Sequence, residues 1–221
     1  MNTLRSGTPA MDVYQSVKNA IIQQTLKPGT ALTENSLCAQ LGVGRSPVRA
    51  ALQLLADEGF VELLPNRGAH VATFTEKQLR QLCALRGMVL SFALEQTIDL
   101  YTEADLAHLE DCLTVQEDAF ARLAFDDYIT AVSQFYTGII KKAGNPYLNE
   151  IAAAIINRIA VYLCLYDNFY SVKKTKSLPL HSRMLEGIRE GKIKKVLRAH
   201  SEISARLLDT YGRMVPLNGG R

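Results

Sequence analysis

Arg45 and Arg49 stand one helical turn apart in the stretch "GRSPVRAALQLLADEGF". Guanidinium groups at that spacing leave a helix on one side. Each offers a planar fork that grips guanine N7 and O6, or a phosphate, through two hydrogen bonds. At about 100° per residue, Val48, Ala51, Leu52 and Leu55 fall on one arc of this helix, while Arg45, Ser46, Arg49 and Gln53 fall on the adjoining arc. The apolar arc needs a surface to dock on, and the polar arc then faces out. A helix N-terminus already attracts anions through its free N–H groups and macrodipole, so arginines added there point to a fixed anionic partner. Solvated charges on an ordinary amphipathic helix are the competing explanation, and the pair alone does not decide between them.

The flanking elements do. Apolar positions Val13, Val17, Ile21 and Leu26 define a helix over Met11–Leu26, which "KPG" at Lys27 to Gly29 stops. Thr33 is a good N-cap for a short helix through Leu41, and Gly42 to Gly44 break it before a third helix runs from Arg45 to about Asp57. "FVELL" and "AHVATF", separated by "PNRG", carry a hairpin signal in which Gly68 is free to take a positive φ. A helix, a tight turn, a second helix with outward arginines, and a hairpin tipped by Arg67 make a winged helix-turn-helix. Its reading helix would enter the major groove of DNA and its hairpin would reach the flanking groove or backbone. Over Met11 to Thr75, Lys18, Lys27, Arg45, Arg49 and Arg67 are matched by Asp12, Glu34, Asp57, Glu58 and Glu62. Binding must therefore rest on local placement of charge. One such module makes few contacts, which predicts a homodimer reading two half-sites.

From Thr75 onward the pattern is helical. "TEKQ" is a capping-box sequence, and about six helices follow, the last two on either side of Gly191. Helices of this kind bury their apolar faces against one another, which predicts an antiparallel bundle. The expected fold is mainly α: a flexible tail over 1–10, a winged helix-turn-helix over 11–74, an all-helical domain over 75–214, and a second tail over 215–221.

Several function classes lack support. A net charge of +3 permits nucleic-acid binding without arguing for it. Cys38, Cys83, Cys112 and Cys164 form no C-x-x-C pair and are expected to be reduced thiols. The sequence has no G-x-S-x-G, H-E-x-x-H, P-loop or dinucleotide fingerprint, so no enzyme is expected. The N-terminus lacks a signal-peptide core, and the most apolar stretch, "NEIAAAIINRIAVYLCLY", is interrupted by Asn157 and Arg158. A cytoplasmic protein without membrane association is expected.

At "LKPGTALTENSLCAQLGVGRSPVRAALQLLADEGFVELLPNRGAHV" the sequence resembles the GntR family of bacterial transcriptional regulators. That resemblance implies that Arg45, Ser46 and Arg49 touch the operator and that Arg67 and Gly68 form the wing tip. Two residues depart from the family pattern: Gly44 stands where Ser or Thr is usual, and Ala50 where an acid is common. The rest, through "RQLCALRGMVL", "FYTGIIKKAGNPYLNEI" and "HSRMLEGIREGKIKKVLRAH", resembles the FCD effector domain of the FadR-type branch.

Many members of that branch hold a divalent metal through one Asp and three His. The corresponding positions here are Val132, Tyr136, His181 and Ile203, of which only His181 is a good ligand, so no metal is expected. His200 lies one turn before Ile203, so a local shift could bring it inward beside His181, and the preferred reading is a solvated residue on a basic helix. Arg86 and Arg158 occur among apolar residues on helices expected to face inward, where a buried arginine needs an anion. With Tyr136 and His181 they would line a site for a small carboxylate effector, in keeping with the family's use of organic acids. The alternative for each arginine is a helix-edge bridge to an acid such as Glu95 or Asp167.

Overall fold

The structure is a computed structural model and describes residues 7–166 and 177–214. The tail read over 215–221 lies outside the described residues, as does much of the polar connection before Leu178. Contacts divide the chain at Phe74–Thr75, with Val161–Leu165 grouped with the N-terminal unit.

Helix α1 (Pro9–Ile22) starts inside the stretch read as a tail, because Thr8 is extended and Pro9 occupies the first turn, where a missing N–H costs nothing. It also ends four residues before the expected Leu26. The Ala20 carbonyl accepts from both Thr25 and Leu26, and Gln24 turns left-handed at φ 61°, closing the helix ahead of Pro28. Strand β1 (Ala31–Leu32) was not foreseen. It pairs antiparallel with β3 (Gly68–Val71), which also pairs with β2 (Val61–Leu64), so the hairpin becomes a three-stranded sheet in the order β1-β3-β2. Two residues carry no readable alternation, and only the pairing of Ala31 with His70 and of Leu32 with Ala69 reveals the strand.

Helix α2 (Glu34–Leu41) is capped by Thr33, whose Oγ1 accepts from Ser36 N at 3.3 Å. It closes at Gly42, where φ of 66° suits a residue without Cβ. Helix α3 (Arg45–Glu58) buries Val48, Ala51, Leu52 and Leu55 against α1 and α2. Burying a Val or Leu side chain contributes roughly 1.5–3 kcal/mol, so this underside alone fixes which face of α3 looks outward.

The second unit contains α4 (Glu76–Thr97), a 3-10 turn at Ile98–Leu100, α5 (Glu103–Ala121), α6 (Phe125–Lys141), most of α7 (Pro146–Tyr166), α8 (Leu178–Arg189) and α9 (Ile193–Met214). Reciprocal capping boxes open α4 (Thr75 with Gln78) and α5 (Thr102 with Asp105). The pairs α5–α6, α8–α9, α4–α9, α5–α8 and α4–α6 pack closely. At the α8–α9 crossing a Cβ on Gly187 would come within 2.8 Å of Val196, so glycine is what permits the approach.

By length and composition α7 could cross a membrane, which the sequence reading excluded because of Asn157 and Arg158. Its buried positions, Ala152, Ile155, Ile156, Ile159 and Tyr162, recur at helical spacing, while Asn157 and Arg158 are exposed. That is the pattern of a core helix with one wet face. Cys83 and Cys112 are buried free thiols, Cys164 is buried, and Cys38 is half-buried.

Candidate functional site

The outward face of α3 presents Arg45, Ser46, Arg49 and Gln53, all exposed. Gly44 serves as its N-cap without a side-chain hydrogen bond, so the departure from Ser or Thr leaves the helix start uncapped by a hydroxyl. Neither arginine is folded back onto α3. Arg45 Nη2 donates to Asn35 Oδ1 at 3.3 Å, and Arg49 Nε donates to Glu34 Oε1 at 2.7 Å, both across the bend from α2. The hydrogen bond from Arg49 holds the Glu34 carboxyl below its usual range, and the charges of Arg49 and Arg45 act in the same direction. Gln53 Nε2 donates to Asp57 Oδ1 one turn on, at 2.9 Å.

Between α3 and the wing lies a cleft of about 680 Å³. Glu34, Arg49 and Gln53 line one side, and Arg67 and Gly68 the other. The turn is held by two left-handed residues, Asn66 at φ 59° and Gly68 at φ 76°. The structure thus brings Arg49, Gln53, Arg67 and Gly68 to one opening, with Arg45 and Ser46 at the adjacent helix tip. Sequence reasoning missed Glu34 and Asn35. Their contacts span 15 and 10 residues and leave no periodic trace.

A second constellation is buried in the helical unit. Arg86 on α4 lies with Cζ 4.6 Å from the centroid of the Tyr136 ring, and its Nη2 reaches Ser204 Oγ at 3.5 Å. None of the ion pairs among the described residues includes it. His181 and His200 meet the same ring edge-on, with centroids 5.5 and 5.9 Å away. Gln116 Oε1 accepts from His181 Nδ1 at 2.9 Å, which leaves His181 Nε2 as a lone pair. Tyr136 Oη is 3.4 Å from His200 Nδ1. Burial, reinforced by the Arg86 charge, depresses both histidines to about 3, so both are neutral at ordinary pH. The Cys83 carbonyl favours the charged form of His200 slightly, without a bond of good geometry. Burial also raises the Tyr136 hydroxyl, which stays protonated.

Four buried polar atoms in this cluster have no partner among the described residues: Arg86 Nε, Gln116 Nε2, His181 Nε2 and His200 Nε2. Each such atom costs about 1–3 kcal/mol if it stays unsatisfied. All four lie around the Tyr136 ring, so the cost of unmet hydrogen bonding is concentrated at one place in the helical unit.

The cluster corrects two expectations. His200 is only 4% exposed rather than solvated, and Gly87 on α4 makes room for it, since a Cβ there would sit 3.4 Å from His200 Nε2. Arg158 belongs to the exposed face of α7 rather than to this cluster, because the inner arc of that helix is taken by Ile155, Ile156, Ile159 and Tyr162. Gln116 was missed although a signal existed. It stands at an apolar position of the α5 stripe formed by Leu109, Cys112 and Ala119.

Comparison with known proteins agrees with this architecture. The family model for bacterial regulatory proteins of the gntR family matches residues 9–71, and that for the FCD domain matches residues 81–205. The chain belongs to the GntR family, with an FCD domain. Among curated relatives of this GntR regulator is the uncharacterized HTH-type transcriptional regulator YdhC of Bacillus subtilis, 26% identical over 192 residues, covering 86% of this chain and 84% of that one. The gluconate operon transcriptional repressor of Bacillus subtilis is 26% identical over 148 residues, covering 67% of this chain and 60% of that one. A solved GntR regulator from Rhodococcus shares the fold at a TM-score of 0.66, with 20% identity, covering 92% of this chain and 99% of that one.

Of the four positions that the resemblance assigns to a metal, His181 alone carries a good ligand side chain. Val132 and Ile203 are hydrocarbon, Tyr136 is a protonated phenol, and no group of three or more His, Cys, Asp and Glu able to hold a metal occurs among the described residues. His181 uses Nδ1 for Gln116 and faces the Arg86 cation, which repels a second positive charge.

Proposed function

We propose that this GntR regulator is a cytoplasmic protein, without enzymatic activity, that binds operator DNA as a homodimer. A small organic acid bound at Arg86, Tyr136 and His181 would change its operator affinity. The observation that carries the reading is the outward display of Arg45 and Arg49 on a helix whose opposite face is fully buried. Arg45, Ser46 and Arg49 would meet base edges and phosphates, with Gln53 beside them. Arg67 and Gly68 at the wing would meet the neighbouring backbone.

The effector reading is supported by the buried Arg86 cation, which has no anion among the described residues, and by the unpartnered Gln116 Nε2 donor, while the His181 Nε2 lone pair would accept from a hydroxyl of the acid. A carboxylate would satisfy Arg86 and Gln116 together. The relative named for a gluconate operon accords with an organic acid as the class of ligand. Control of affinity requires that the acid bind the DNA-competent and DNA-incompetent states unequally.

Dimerisation is supported by Leu85, Met88 and Phe92, exposed at 41%, 68% and 49% along one side of α4. An apolar stripe of this kind favours burial against a symmetric copy, which would supply the second reading helix. The test is a mobility-shift titration of the DNA upstream of the protein's own gene with the wild type and with an Arg45→Ala, Arg49→Ala double variant. The reading expects specific binding by the wild type alone, and specific binding retained by the variant would reject it.

A further inference from the structure

Glu34 occupies the first position of α2, and its Oε1 accepts from Arg49 Nε at 2.7 Å. Arg45 is held from the same helix by Asn35 and lies close enough for its charge to act on Glu34. The two guanidinium groups are thus steadied from behind by α2. An arginine engaged through Nε keeps Nη1 and Nη2 free, and that end forks onto guanine O6 and N7. A carboxylate at this position also repels phosphate, disfavouring the other use of Arg49, a backbone contact blind to sequence. The dipole of α2 gives an independent reason for an acid in its first turn. It gives none for that acid to reach Arg49, 15 residues along the chain and at the rim of the cleft that also holds Arg67.

We infer that Glu34 is a specificity-determining positioning residue: it aims the Nη1/Nη2 end of Arg49 at base edges and keeps Arg49 off the phosphate backbone. The inference rests on α3 being the reading helix.

The test is a set of fluorescence-anisotropy titrations of the full chain at several salt concentrations. The probes are a duplex from its own upstream region and a scrambled duplex of equal length. Glu34→Gln removes the charge at constant size, and Glu34→Asp keeps the charge but shortens its reach. With Glu34→Gln the ratio of specific to scrambled affinity should fall roughly tenfold, by a gain on the scrambled duplex as well as a loss on the specific one. The salt slope should steepen by about one as Arg49 takes up a phosphate. Glu34→Asp should fall between Glu34→Gln and the wild type.

Glu34→Gln with ratio and slope unchanged would overturn the inference, leaving Glu34 as a charge for the helix dipole. Equal losses on both duplexes, in parallel with a lower melting temperature, would overturn it too, since that is what a structural role does. The Arg45→Ala, Arg49→Ala double variant separates this failure from failure of the reading it rests on: specific binding undiminished in that variant would remove α3 from the operator altogether.

Discussion

Arg86 lies with its Cζ 4.6 Å from the centroid of the Tyr136 ring, and the side chain is buried. Its one hydrogen bond among the described residues is a long one to Ser204. A cation in this position is a cost to the free protein and an asset to one that must bind an anion. Arg86→Met should therefore stabilise the ligand-free chain, by about 1 kcal/mol or more, and abolish its response to organic acids. Thermal denaturation with and without a panel of small organic acids checks both halves. A destabilised variant that still responds would place the anion elsewhere.

Acid stability should bear the mark of the two neutral histidines. His181 and His200 are depressed to about 3, against about 6.5 in an unfolded chain. Between those values the unfolded state binds more protons, so their contribution is complete above about pH 6.5 and is lost as the pH falls toward 3. The slope is up to about 1.4 kcal/mol per pH unit for each residue. Asp105, held at about 2 chiefly by its hydrogen bond from Lys142, loses its contribution only below its ordinary value near 3.8. Denaturant midpoints between pH 6.5 and 5.5 therefore isolate the histidines, because Glu34, Glu190 and Glu202, lowered from 4.5 by hydrogen bonds from basic side chains, lose their contribution below that window. His181→Gln and His200→Gln should each flatten the decline.

Much of this was legible in the sequence because it was local or periodic. The buried arc of Val48, Ala51, Leu52 and Leu55 fixed the outward direction of Arg45 and Arg49, and Thr75 with Gln78 marked the start of α4. What was not legible depended on contacts across the chain. Strand β1 exists only because β3 accepts it. His200 looked solvated because its helix is basic, yet it faces Gly87 and Tyr136 from α9. Arg158 looked inward because its neighbours are apolar, yet those neighbours take the inner arc of α7 themselves. The tie from Glu34 to Arg49 joins two helices through one rotamer, which no spacing rule encodes.

The stripe of Leu85, Met88 and Phe92 makes an oligomer prediction. Met88→Lys with Phe92→Glu should shift sedimentation from dimer to monomer, leave helicity unchanged and weaken operator binding at a fixed protein concentration. A dimer that survives both changes would remove α4 from the interface.

The wing gives a backbone test. Gly68 has φ of 76° and nothing within 4 Å of an added Cβ, so Gly68→Ala should cost about 1–2 kcal/mol through the left-handed backbone alone. Operator affinity should fall while base preference stays as in the wild type, which competition against half-site variants would show. A change in preferred bases would mean that the wing reads sequence.

Substitution of 7-deazaguanine for the guanines of one operator half-site, one position at a time, removes a single major-groove acceptor without disturbing base pairing. Wild-type affinity should fall by roughly tenfold at the positions met by Arg45 and Arg49, and the Arg45→Ala, Arg49→Ala variant should be indifferent to the same replacements. Wild-type binding insensitive to 7-deazaguanine at every position, together with an unweakened double variant, would contradict the assignment of α3 as the element that reads the operator.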